Sequence, residues 1–233
     1  MNISVILPAF NEELNIKIAL KEIIAYLENK RLNNWEIIVV DDGSTDKTEE
    51  EIKKIIRTNN NVFLKKHKFN LGYGKTLQTG IKNVKFDWIF ITDSDLQFFI
   101  NDLDKFIPLT NNYNFIQGIR KKRSDPLSRI ILGKTYKSII NLFFKIPVSD
   151  PECSFRLFKK NLLDHVNIVC SGPMVPIELI LEAKNNDAKF YEKIVRHQSR
   201  KFGNTNALSF KSFSALVKDF FNLLSKKKTI NLY

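Results

Sequence analysis

Two carboxylates separated by one residue follow an apolar, β-rich run near the middle of the chain. The run Trp88–Thr92 leads directly into Asp93 and Asp95, and a carboxamide follows at Gln97. Because side chains alternate along an extended chain, the two carboxylates are predicted to point to the same side. Two like charges this close are unfavourable unless a proton or a cation lies between them, and hard oxygen ligands suit Mg²⁺ or Mn²⁺. A helix N-cap followed by a solvated turn acid explains the same residues equally well.

A second acidic motif, residues 41–46, also follows an apolar strand and opens a helix. Gly43 permits a tight turn, and Asp46 is placed to stabilise the helix N-terminus. This structural interpretation leaves Asp41 and Asp42 unexplained. A carboxylate at the end of a strand can accept hydrogen bonds from the N–H groups of a pyrimidine or a guanine base, so base binding is the second interpretation.

The order of apolar runs and helical patterns in the first half of the chain predicts where these motifs lie. The predicted strands are Ile3–Leu7, Trp35–Val40, Asn61–Leu64 and Trp88–Thr92, and the predicted helices are Glu12–Asn29, Thr45–Arg57 and Lys75–Val84. This alternation predicts an α/β fold with a mostly parallel sheet covered by helices on both faces. Ligands of such sheets bind at the carboxyl ends of the strands. Pro8 and the two acidic motifs follow strand ends, so three polar clusters should meet at one edge.

The second half of the chain carries basic and amphipathic patterns. The predicted elements are a helix at Leu127–Lys145, a strand or loop at Asp150–Phe158, a strand at Ala188–Arg196 and an amphipathic helix from Leu208 onward. We expect one α/β domain at residues 1–206 and a C-terminal amphipathic, basic helix and tail at residues 207–233. The apolar side of that helix either packs on the domain or lies on an anionic bilayer.

The composition is that of a globular protein, since 43% of the 233 residues are hydrophobic and 27% are charged. Cys153 and Cys170 form no CxxC pair, which argues against a zinc site or a disulfide framework and fits a reducing compartment. The N-terminus lacks the pattern of a secretory signal, and no apolar stretch approaches the roughly 18 residues of a spanning helix. The net charge of +12 predicts an anionic partner: nucleic acid, a phosphorylated substrate or an acidic membrane surface.

Seven short motifs, each weak alone, become specific through their order along the chain. They are residues 8–12 (PAFNE), 41–46 (DDGSTD), 70–72 (NLG), 93–97 (DSDLQ), 118–120 (GIR), 150–158 (DPECSFRLF) and 197–203 (HQSRKFG). The set resembles the inverting family 2 glycosyltransferases of the GT-A fold. Within that family it looks like the polyprenyl-phosphate sugar transferases, the dolichol-phosphate mannose synthase group. The resemblance extends from Ile3 to Thr205.

The resemblance implies roles for individual residues. A nucleotide pocket would be lined by Pro8, Phe10, Glu12, Asp42 and Ser94, and a divalent cation, Mg²⁺ or Mn²⁺, would be held by Asp93, Asp95 and Gln97. Arg120 and Arg129 resemble the arginines that bind the acceptor phosphate, and Arg200 resembles the residue that closes over the donor diphosphate. Arginine presents paired donors that match phosphate geometry, which gives these assignments a physical basis. Asp95, Arg120 and Arg200 are the predicted catalytic residues.

The three histidines carry weaker signals. His197 matches a position of the family, where a diphosphate contact and a structural role are equally compatible with the sequence. His67 and His165 show no partner pattern, so we predict that each is a surface residue or is satisfied within the protein.

The nature of the acceptor is predicted from a missing base. An alcohol is a poor nucleophile at neutral pH and requires a general base. Relatives that glycosylate hydroxyls carry an acidic pair after the midpoint of the chain, whereas Ser171–Glu178 has no such pair. Glu178 is explained as a first-turn acid of a helix. A phosphate monoester loses its second proton at about pH 6 and needs no base.

We therefore predict a metal-dependent hexosyltransferase that uses a GDP- or UDP-linked sugar and a polyprenyl (dolichol-type) phosphate in cell-envelope glycan synthesis. The predicted location is cytoplasmic and peripheral, at the cytoplasmic membrane face, on an anionic surface. A separate membrane protein that supplies an anchor is compatible with this prediction.

Three other functions fit parts of the sequence. A family 2 transferase that acts on a sugar hydroxyl in polysaccharide or glycan assembly shares the same fold. A nucleic-acid-binding protein fits the net charge of +12. However, aromatic and basic residues are not interleaved in a recognisable binding motif, and we predict no nucleic-acid partner. A catalytically silent nucleotide-sugar sensor is disfavoured by the intact Asp95, Gln97, Arg120 and Arg200.

Overall fold

The computed structural model describes residues 1–30, 32, 34–120, 138–200, 202 and 210–230. In this part of the chain one sheet contains β1 (Asn2–Ala9), β2 (Asn34–Asp41), β3 (Val62–Lys66), β4 (Trp88–Ile91), β5 (Phe115–Arg120), β6 (Arg156–Lys159) and β7 (Phe190–Val195). The helices are α1 (Ile16–Asn29), α2 (Thr48–Ile56), α3 (Tyr73–Asn83), α4 (described over residues 138–144), α5 (Val175–Asn185) and α6 (Phe210–Ile230).

The strand order β3-β2-β1-β4-β6-β5-β7 gives a mostly parallel sheet. Every pair of neighbouring strands among β1 to β4 is parallel, and β5 runs parallel to β7. Only β6 is antiparallel to the strands beside it, β4 and β5, among the strands described. The predicted α/β fold is therefore confirmed, and the carboxyl ends of β1, β2 and β4 lie at one edge.

Both faces of the sheet are covered by helices, as predicted. Alternate residues of a strand point to opposite faces, and alternate residues of β1 and β2 accordingly belong to two separate apolar clusters. One cluster contains Leu20 of α1 and Ile52 of α2. The other contains Leu77 of α3, Leu179 of α5 and Leu223 of α6.

The helices α1 and α2 begin later than the sequence predicts. The first starts at Ile16 rather than Glu12, and the second at Thr48 rather than Thr45. The reason is that the two preceding loops are hydrogen-bonded to each other. The N–H of Glu12 donates to Oγ1 of Thr48 at 2.8 Å, and the N–H of Thr45 donates to Oδ1 of Asn11 at 2.9 Å. The two loops form one unit beside the strand ends.

The strand β5 is absent from the prediction because its sequence does not show a continuous apolar or alternating pattern. Gln117 and Gly118 interrupt its apolar run, yet Gln117 is fully buried. Its amide nitrogen donates to the backbone carbonyls of Asp150 and Cys153 at 3.0 and 2.7 Å, which satisfies the two N–H groups inside the protein, whereas Oε1 has no hydrogen-bond partner. Two further boundaries differ or remain open. The segment predicted as a strand or loop at Asp150–Phe158 is a strand only from Arg156, and the predicted helix at residues 127–145 is described only from residue 138.

The C-terminal helix α6 packs on the domain through residues between Leu216 and Lys226. Asp219 is 1% exposed, and its two carboxylate oxygens accept from the N–H groups of Ser171 and Gly172 at 3.1 and 2.8 Å. The ammonium of Lys226 lies 2.8 Å from Oε1 of the buried Glu178. The packing interpretation is thus confirmed for the inward side of α6. The predicted domain boundary at residue 206 lies outside the described residues, and no described helix is both long and apolar enough to span a bilayer.

The backbone of α3 lies very close to the segment that α6 holds. A Cβ atom on Gly74 would lie 2.2 Å from the carbonyl oxygen of Cys170 and 3.0 Å from Cγ2 of Val175. We predict that Gly74→Ala lowers the free energy of unfolding by about 1–3 kcal/mol, because backbone atoms must shift to admit the methyl group. Urea denaturation measures this. Lys82→Ala on the exposed side of the same helix is the control, and an unchanged stability of Gly74→Ala would show that the close approach is not required.

Candidate active site

A pocket of about 500 Å³ opens at the carboxyl ends of β1, β2 and β4. Its lining comprises Pro8, Ala9, Phe10, Glu12, Asp42, Asn70, Gly72, Tyr73, Thr76, Asp93, Ser94 and Asp95. The predicted meeting of three polar clusters at one edge is therefore confirmed. The start of α3 adds a fourth wall, for which the sequence indicated a motif but no role.

The loop after β4 is held in place by hydrogen bonds on both sides. The hydroxyl of Ser94 donates to the carbonyl of Pro8 at 2.8 Å, which ties the ends of β4 and β1 together. Leu96 has a φ of 62°, a left-handed conformation that costs energy for a residue with a branched side chain. The turn is stabilised because the side-chain amide of Gln198 donates to the carbonyl of Leu96 at 2.7 Å. The bend directs the chain away immediately after Asp95.

Burial sets the electrostatics of Asp93 and Asp95. Burial and then the charge of Asp93 raise the pKa of Asp95 to about 7. Burial also raises the pKa of Asp93, although the Ser154 hydroxyl donates to its Oδ2 and the charge of Arg156 acts in the opposite direction. Each carboxylate therefore resists ionisation beside the other. A cation between them would remove that cost, and raised carboxyl pKa values in a cleft are typical of functional sites.

Two carboxylates facing one open pocket suit a divalent cation that keeps positions for water and a diphosphate. Among the described residues, there is no group of three or more His, Cys, Asp and Glu side chains that could hold a metal ion. A cation at Asp93 and Asp95 would therefore need water or a diphosphate as further ligands. The third predicted ligand, Gln97, donates its Nε2 to the carbonyl of Gln198 at 3.1 Å. Its backbone N–H donates to Oδ1 of Asp95 at 3.1 Å. Gln97 thus positions Asp95 here, and ligation by Gln97 would use its amide oxygen.

A buried arginine stands behind the acidic pair. Arg156 is 1% exposed, and its Nη2 donates to the carbonyl of Cys153 at 2.8 Å, whereas Nε and Nη1 have no hydrogen-bond partner. Its positive charge favours ionisation of Asp93. The motif at residues 150–158 was recognised without a role for Arg156. The available signal was a lone arginine between Phe155 and Leu157 in an otherwise apolar run, because a buried charge is costly and needs a reason.

Asp42 organises the loop that forms another wall of the pocket. Its Oδ1 accepts from the N–H of Leu71 and its Oδ2 from the N–H of Gly72, both at 2.9 Å. Nδ1 of His67 lies 2.7 Å from Oδ1 of Asp42, and Nε2 of His67 lies 2.8 Å from the Thr79 hydroxyl. Since a carboxylate only accepts, Nδ1 carries the proton that His67 donates. His67 is thus satisfied within the protein, one of the two predicted outcomes, and its partner is a residue of the pocket.

The segment of residues 197–200 reaches the pocket by pairing with the loop after β4. The N–H of Gln198 donates to the carbonyl of Gln97 at 2.9 Å, and the ring of His197 lies edge-on to Phe98 with centroids 5.0 Å apart. This pairing brings Arg200 to the pocket rim. There its Nη2 donates to Oε1 of Glu12 at 2.5 Å.

The pair Glu12–Arg200 spans two of the predicted site motifs. The other carboxylate oxygen of Glu12 accepts from Nδ2 of Asn15 at 2.7 Å. Both oxygens of Glu12 are thus engaged inside the protein, so Glu12 positions Arg200 and the start of α1. Phe10, by contrast, is 40% exposed at the pocket, where its ring is accessible for stacking with a base.

Of the two arginines predicted to bind the acceptor phosphate, Arg120 lies within the described residues. The side chain of Arg120 forms a two-pronged pair with Asp150, in which Nε lies 2.8 Å from Oδ2 and Nη2 lies 2.7 Å from Oδ1. Arg120 does not line the pocket described above. Its predicted fork is therefore occupied by a carboxylate of the protein. Arg129 lies outside the described residues.

A family model described as Glycosyl transferase family 2 matches residues 4–166. The chain belongs to this family. The matched region contains β1 to β6 and the motifs at the ends of β1, β2 and β4, so the family match and the pocket involve the same residues.

Relatives of this glycosyltransferase carry names that refer to lipid phosphates. It is 28% identical over 193 residues to a dolichyl-phosphate beta-glucosyltransferase of Trichomonas vaginalis, covering 74% of this chain and 59% of the relative. A second such protein from that organism is 29% identical, with coverages of 82% and 64%. An undecaprenyl-phosphate 4-deoxy-4-formamido-L-arabinose transferase of Pectobacterium atrosepticum is 26% identical, with coverages of 96% and 68%. The predicted resemblance is confirmed, although the chain spans only about three fifths of the Trichomonas relatives.

Solved structures confirm the GT-A-like architecture. Glucosyl-3-phosphoglycerate synthase of Mycobacterium tuberculosis, crystallised with Mn²⁺, UDP-glucose and phosphoglyceric acid, has a TM-score of 0.67 at 20% identity, covering 94% of this chain and 79% of the other. Mannosyl-3-phosphoglycerate synthase of Rubrobacter xylanophilus has a TM-score of 0.70 at 16% identity, with coverages of 98% and 75%. At these identities the likeness concerns the fold alone.

The raised pKa of Asp95 generates a prediction about stability. Between about pH 4 and pH 7 the folded state keeps a proton that the unfolded chain has lost, so stability falls as pH rises through that window. Asp95→Asn removes this loss. In chelator-containing buffer at pH 8 the variant should be more stable than the wild type by roughly 1–3 kcal/mol, with little difference at pH 4.

Chemical denaturation across this pH range measures the effect. The exposed Asp87→Asn is the matched control and should follow the wild-type curve. Parallel curves for Asp95→Asn and the wild type would show that the Asp93–Asp95 repulsion is not a stability cost.

The hydrogen bond from His67 to Asp42 generates a second prediction. His67→Leu should speed amide hydrogen exchange at Leu71 and Gly72 and weaken UDP or GDP binding roughly tenfold, because Asp42 loses a donor that fixes its orientation. His67→Asn should behave more like the wild type, since its amide can donate from near the Nδ1 position. Equal effects of the two variants would show that side-chain volume, and not the hydrogen bond, is responsible.

Proposed function

We propose that this chain transfers a hexose from a nucleotide diphosphate sugar to a polyprenyl phosphate, with inversion at the anomeric carbon and dependence on a divalent cation. The observation that carries the proposal is the pair of carboxylates, Asp93 and Asp95, in the pocket at the strand ends. Their raised pKa values indicate a position for positive charge. Membership of glycosyl transferase family 2 supplies the class of reaction.

The acceptor is proposed from the environment of Glu178. The resemblance implies that relatives with hydroxyl acceptors carry an acidic pair in the stretch corresponding to residues 171–178. The one acid of this stretch, Glu178, is fully buried in α5. Its oxygens accept from the N–H groups of Val169 and Cys170 at 2.9 and 2.8 Å and from the ammonium of Lys226. A carboxylate used in this way is not available as a general base. An acceptor that arrives already ionised, such as a phosphate monoester, removes the requirement.

The names of the relatives support the same acceptor. They refer to dolichyl phosphate and undecaprenyl phosphate, which share a phosphate on a long isoprenoid chain. The transferred sugars in those names differ, so we leave the donor sugar and its base, GDP- or UDP-linked, to experiment. Because such acceptors reside in bilayers, we propose that the protein works peripherally at the cytoplasmic membrane face in cell-envelope glycan synthesis.

The proposed reaction is a single in-line displacement. A phosphate oxygen of the acceptor attacks C1 of the sugar, the bond from C1 to the donor diphosphate breaks, and the nucleoside diphosphate leaves with the bonding electrons. No proton has to be removed from the nucleophile. The protein must therefore align two anionic groups and offset the charge that grows on the leaving group.

Individual residues account for these tasks. Asp93 and Asp95 would hold Mg²⁺ or Mn²⁺, which when bound neutralises the diphosphate. Arg200, held at the rim by Glu12, is placed to donate to the same diphosphate. Phe10 offers a ring to the base, and Asp42 fixes the loop beside it. We propose that Arg120, while paired with Asp150, and Arg129 bind the acceptor phosphate.

A panel of donors and acceptors tests the proposal. Radiolabelled UDP-glucose, UDP-N-acetylglucosamine and GDP-mannose are each combined with Mn²⁺ and undecaprenyl or dolichyl phosphate, and the free polyprenol and an oligosaccharide serve as matched hydroxyl acceptors. We expect label in the lipid phosphate with one donor and no label in the polyprenol. Transfer to the oligosaccharide alone would establish the hydroxyl-acceptor alternative instead.

Substitutions of Arg200 test whether this residue, and not positive charge elsewhere on the protein, contributes to the rate of transfer. Arg200→Ala should reduce the rate of transfer by roughly 10²-fold, because one preorganised donor to the leaving group is lost. Arg200→Lys should restore part of it, since the charge remains and the fork does not. The exposed Arg57→Ala should retain the wild-type rate. A wild-type rate for Arg200→Ala would remove this residue from the mechanism.

A further inference from the structure

The helices α4 and α6 leave five large apolar side chains in solvent on one surface. Their exposed fractions are 45% for Ile139, 76% for Leu142, 43% for Phe143, 41% for Val217 and 61% for Phe221. Residues 139, 142 and 143 share a face of α4 because they are three and four positions apart, and residues 217 and 221 share a face of α6 for the same reason. We call these five side chains the two-helix ridge.

Aromatic contacts join the two halves of the ridge. The ring of Phe220 packs edge-on against Phe143 with centroids 5.3 Å apart, and against Phe221 at 5.8 Å. Phe220 therefore connects the exposed side chains of α4 with those of α6. These ring contacts join exposed side chains of two helices, unlike the singly scattered exposed apolar residues that are normal on a protein.

The fold does not need the ridge for its own packing. The opposite sides of the same helices are buried, through Ile140 and Phe144 of α4 and Leu223 of α6. The exposed side chains are additional apolar area on helices that are already docked. Exposed apolar area of this kind is typical of an interaction surface.

The charge of the flanking sequence indicates which partner. Residues 121–145 contain seven lysines and arginines against one aspartate, and residues 210–230 contain five lysines against one aspartate. Together these two segments hold an excess of ten positive charges, out of +12 for the chain. The one acid of α6, Asp219, is buried, whereas its neighbour Lys218 is exposed. Exposed apolar side chains on helices whose sequence neighbourhood is basic match an anionic bilayer better than an apolar protein groove.

We infer that the two-helix ridge inserts into the surface of an anionic membrane and holds the protein there. Lys227 and Lys228 add positive charge to the sequence of α6, whereas Lys226 is paired with Glu178 and Glu182. Basic clusters are attracted to anionic lipids. Insertion itself is independent of sugar transfer. Its use for presenting the acceptor rests on the proposed function.

The ridge is connected to the pocket through a short path of contacts. Asp219 of α6 holds the N–H groups of Ser171 and Gly172. The carbonyl of Ser171 lies 2.8 Å from the position that a Cβ on Gly72 would occupy, and the N–H of Gly72 donates to Asp42. A membrane bound at the ridge therefore fixes the orientation of the pocket relative to the bilayer.

Vesicle flotation tests the inference without any substrate. The purified protein is mixed with vesicles of phosphatidylcholine alone or of phosphatidylcholine with phosphatidylglycerol. We expect flotation with the anionic vesicles, reduced by added salt, and at least a tenfold lower partition coefficient for Leu142→Ser combined with Phe221→Ser. Phe63→Ser, which removes a 44% exposed phenylalanine from β3, is the matched control and should float like the wild type.

Two further measurements distinguish loss of membrane binding from misfolding and from loss of catalysis. Circular dichroism must show the double variant folded; if it is not, Leu142→Ser and Phe221→Ser are tested singly. With active protein, the double variant should lose transfer to undecaprenyl phosphate in vesicles but keep transfer to a short, water-soluble prenyl phosphate.

Three results would overturn the inference. They are a wild-type protein that does not float with anionic vesicles, a double variant that floats as well as the wild type, and a wild-type dimer that the double substitution converts to monomer. The last result would assign the ridge to contact between copies of the chain. Flotation without transfer to any acceptor would contradict the proposed function and leave membrane binding standing.

Discussion

The cost of ionising two neighbouring, half-buried carboxylates is the constraint around which the site is built. Asp93 and Asp95 follow a short strand that is buried on both faces, and both carboxylates line the pocket at its end. The fold limits the cost in two ways. The Ser154 hydroxyl donates to Asp93 and the backbone of Gln97 donates to Asp95, while Arg156 contributes a positive charge from within the core. The remaining cost is one that a bound cation would relieve.

The walls of the pocket are fixed by polar contacts between loops more than by apolar packing. Side chains of one loop accept from backbone N–H groups of the next, as Asn11 does for Thr45 and Asp42 does for Gly72. Such bonds restrict the position of each loop relative to the next. This explains how three loops, each rich in polar residues, form an ordered rim on a sheet whose two faces are covered by apolar clusters.

The parts predicted correctly from sequence are those governed by local pattern. Apolar runs followed by Pro8, Asp42 and Asp93 specified the strand ends, and the alternation of strands and helices specified a parallel sheet, so the pocket could be located before its geometry was known. The strand β5 could not be predicted in this way, because Gln117 is polar. Its burial depends on hydrogen bonds to carbonyls of a segment more than 30 residues away.

Side-chain partners distant in sequence were likewise beyond prediction. His67 lies 25 residues from Asp42, and no spacing rule connects them. The pairing of Arg120 with Asp150 is another case. Both residues belong to recognised motifs, but nothing in their spacing shows that they bind each other, and this pairing changes what the guanidinium can offer to a phosphate. Helix starts were predicted too early for a related reason, since the backbone groups that would begin α1 and α2 bond to the neighbouring loop.

The attachment of α6 to residues 171 and 172 has a consequence for how the molecule can be divided. Because Asp219 satisfies two backbone donors beside α3, and Lys226 compensates a buried Glu178, we expect the C-terminal helix to unfold together with the segment beside the pocket. A protein cut before residue 210 would leave Glu178 as an uncompensated charge in the interior. The smallest fragment that folds with an intact rim must therefore retain this helix, even though the family match ends before it begins.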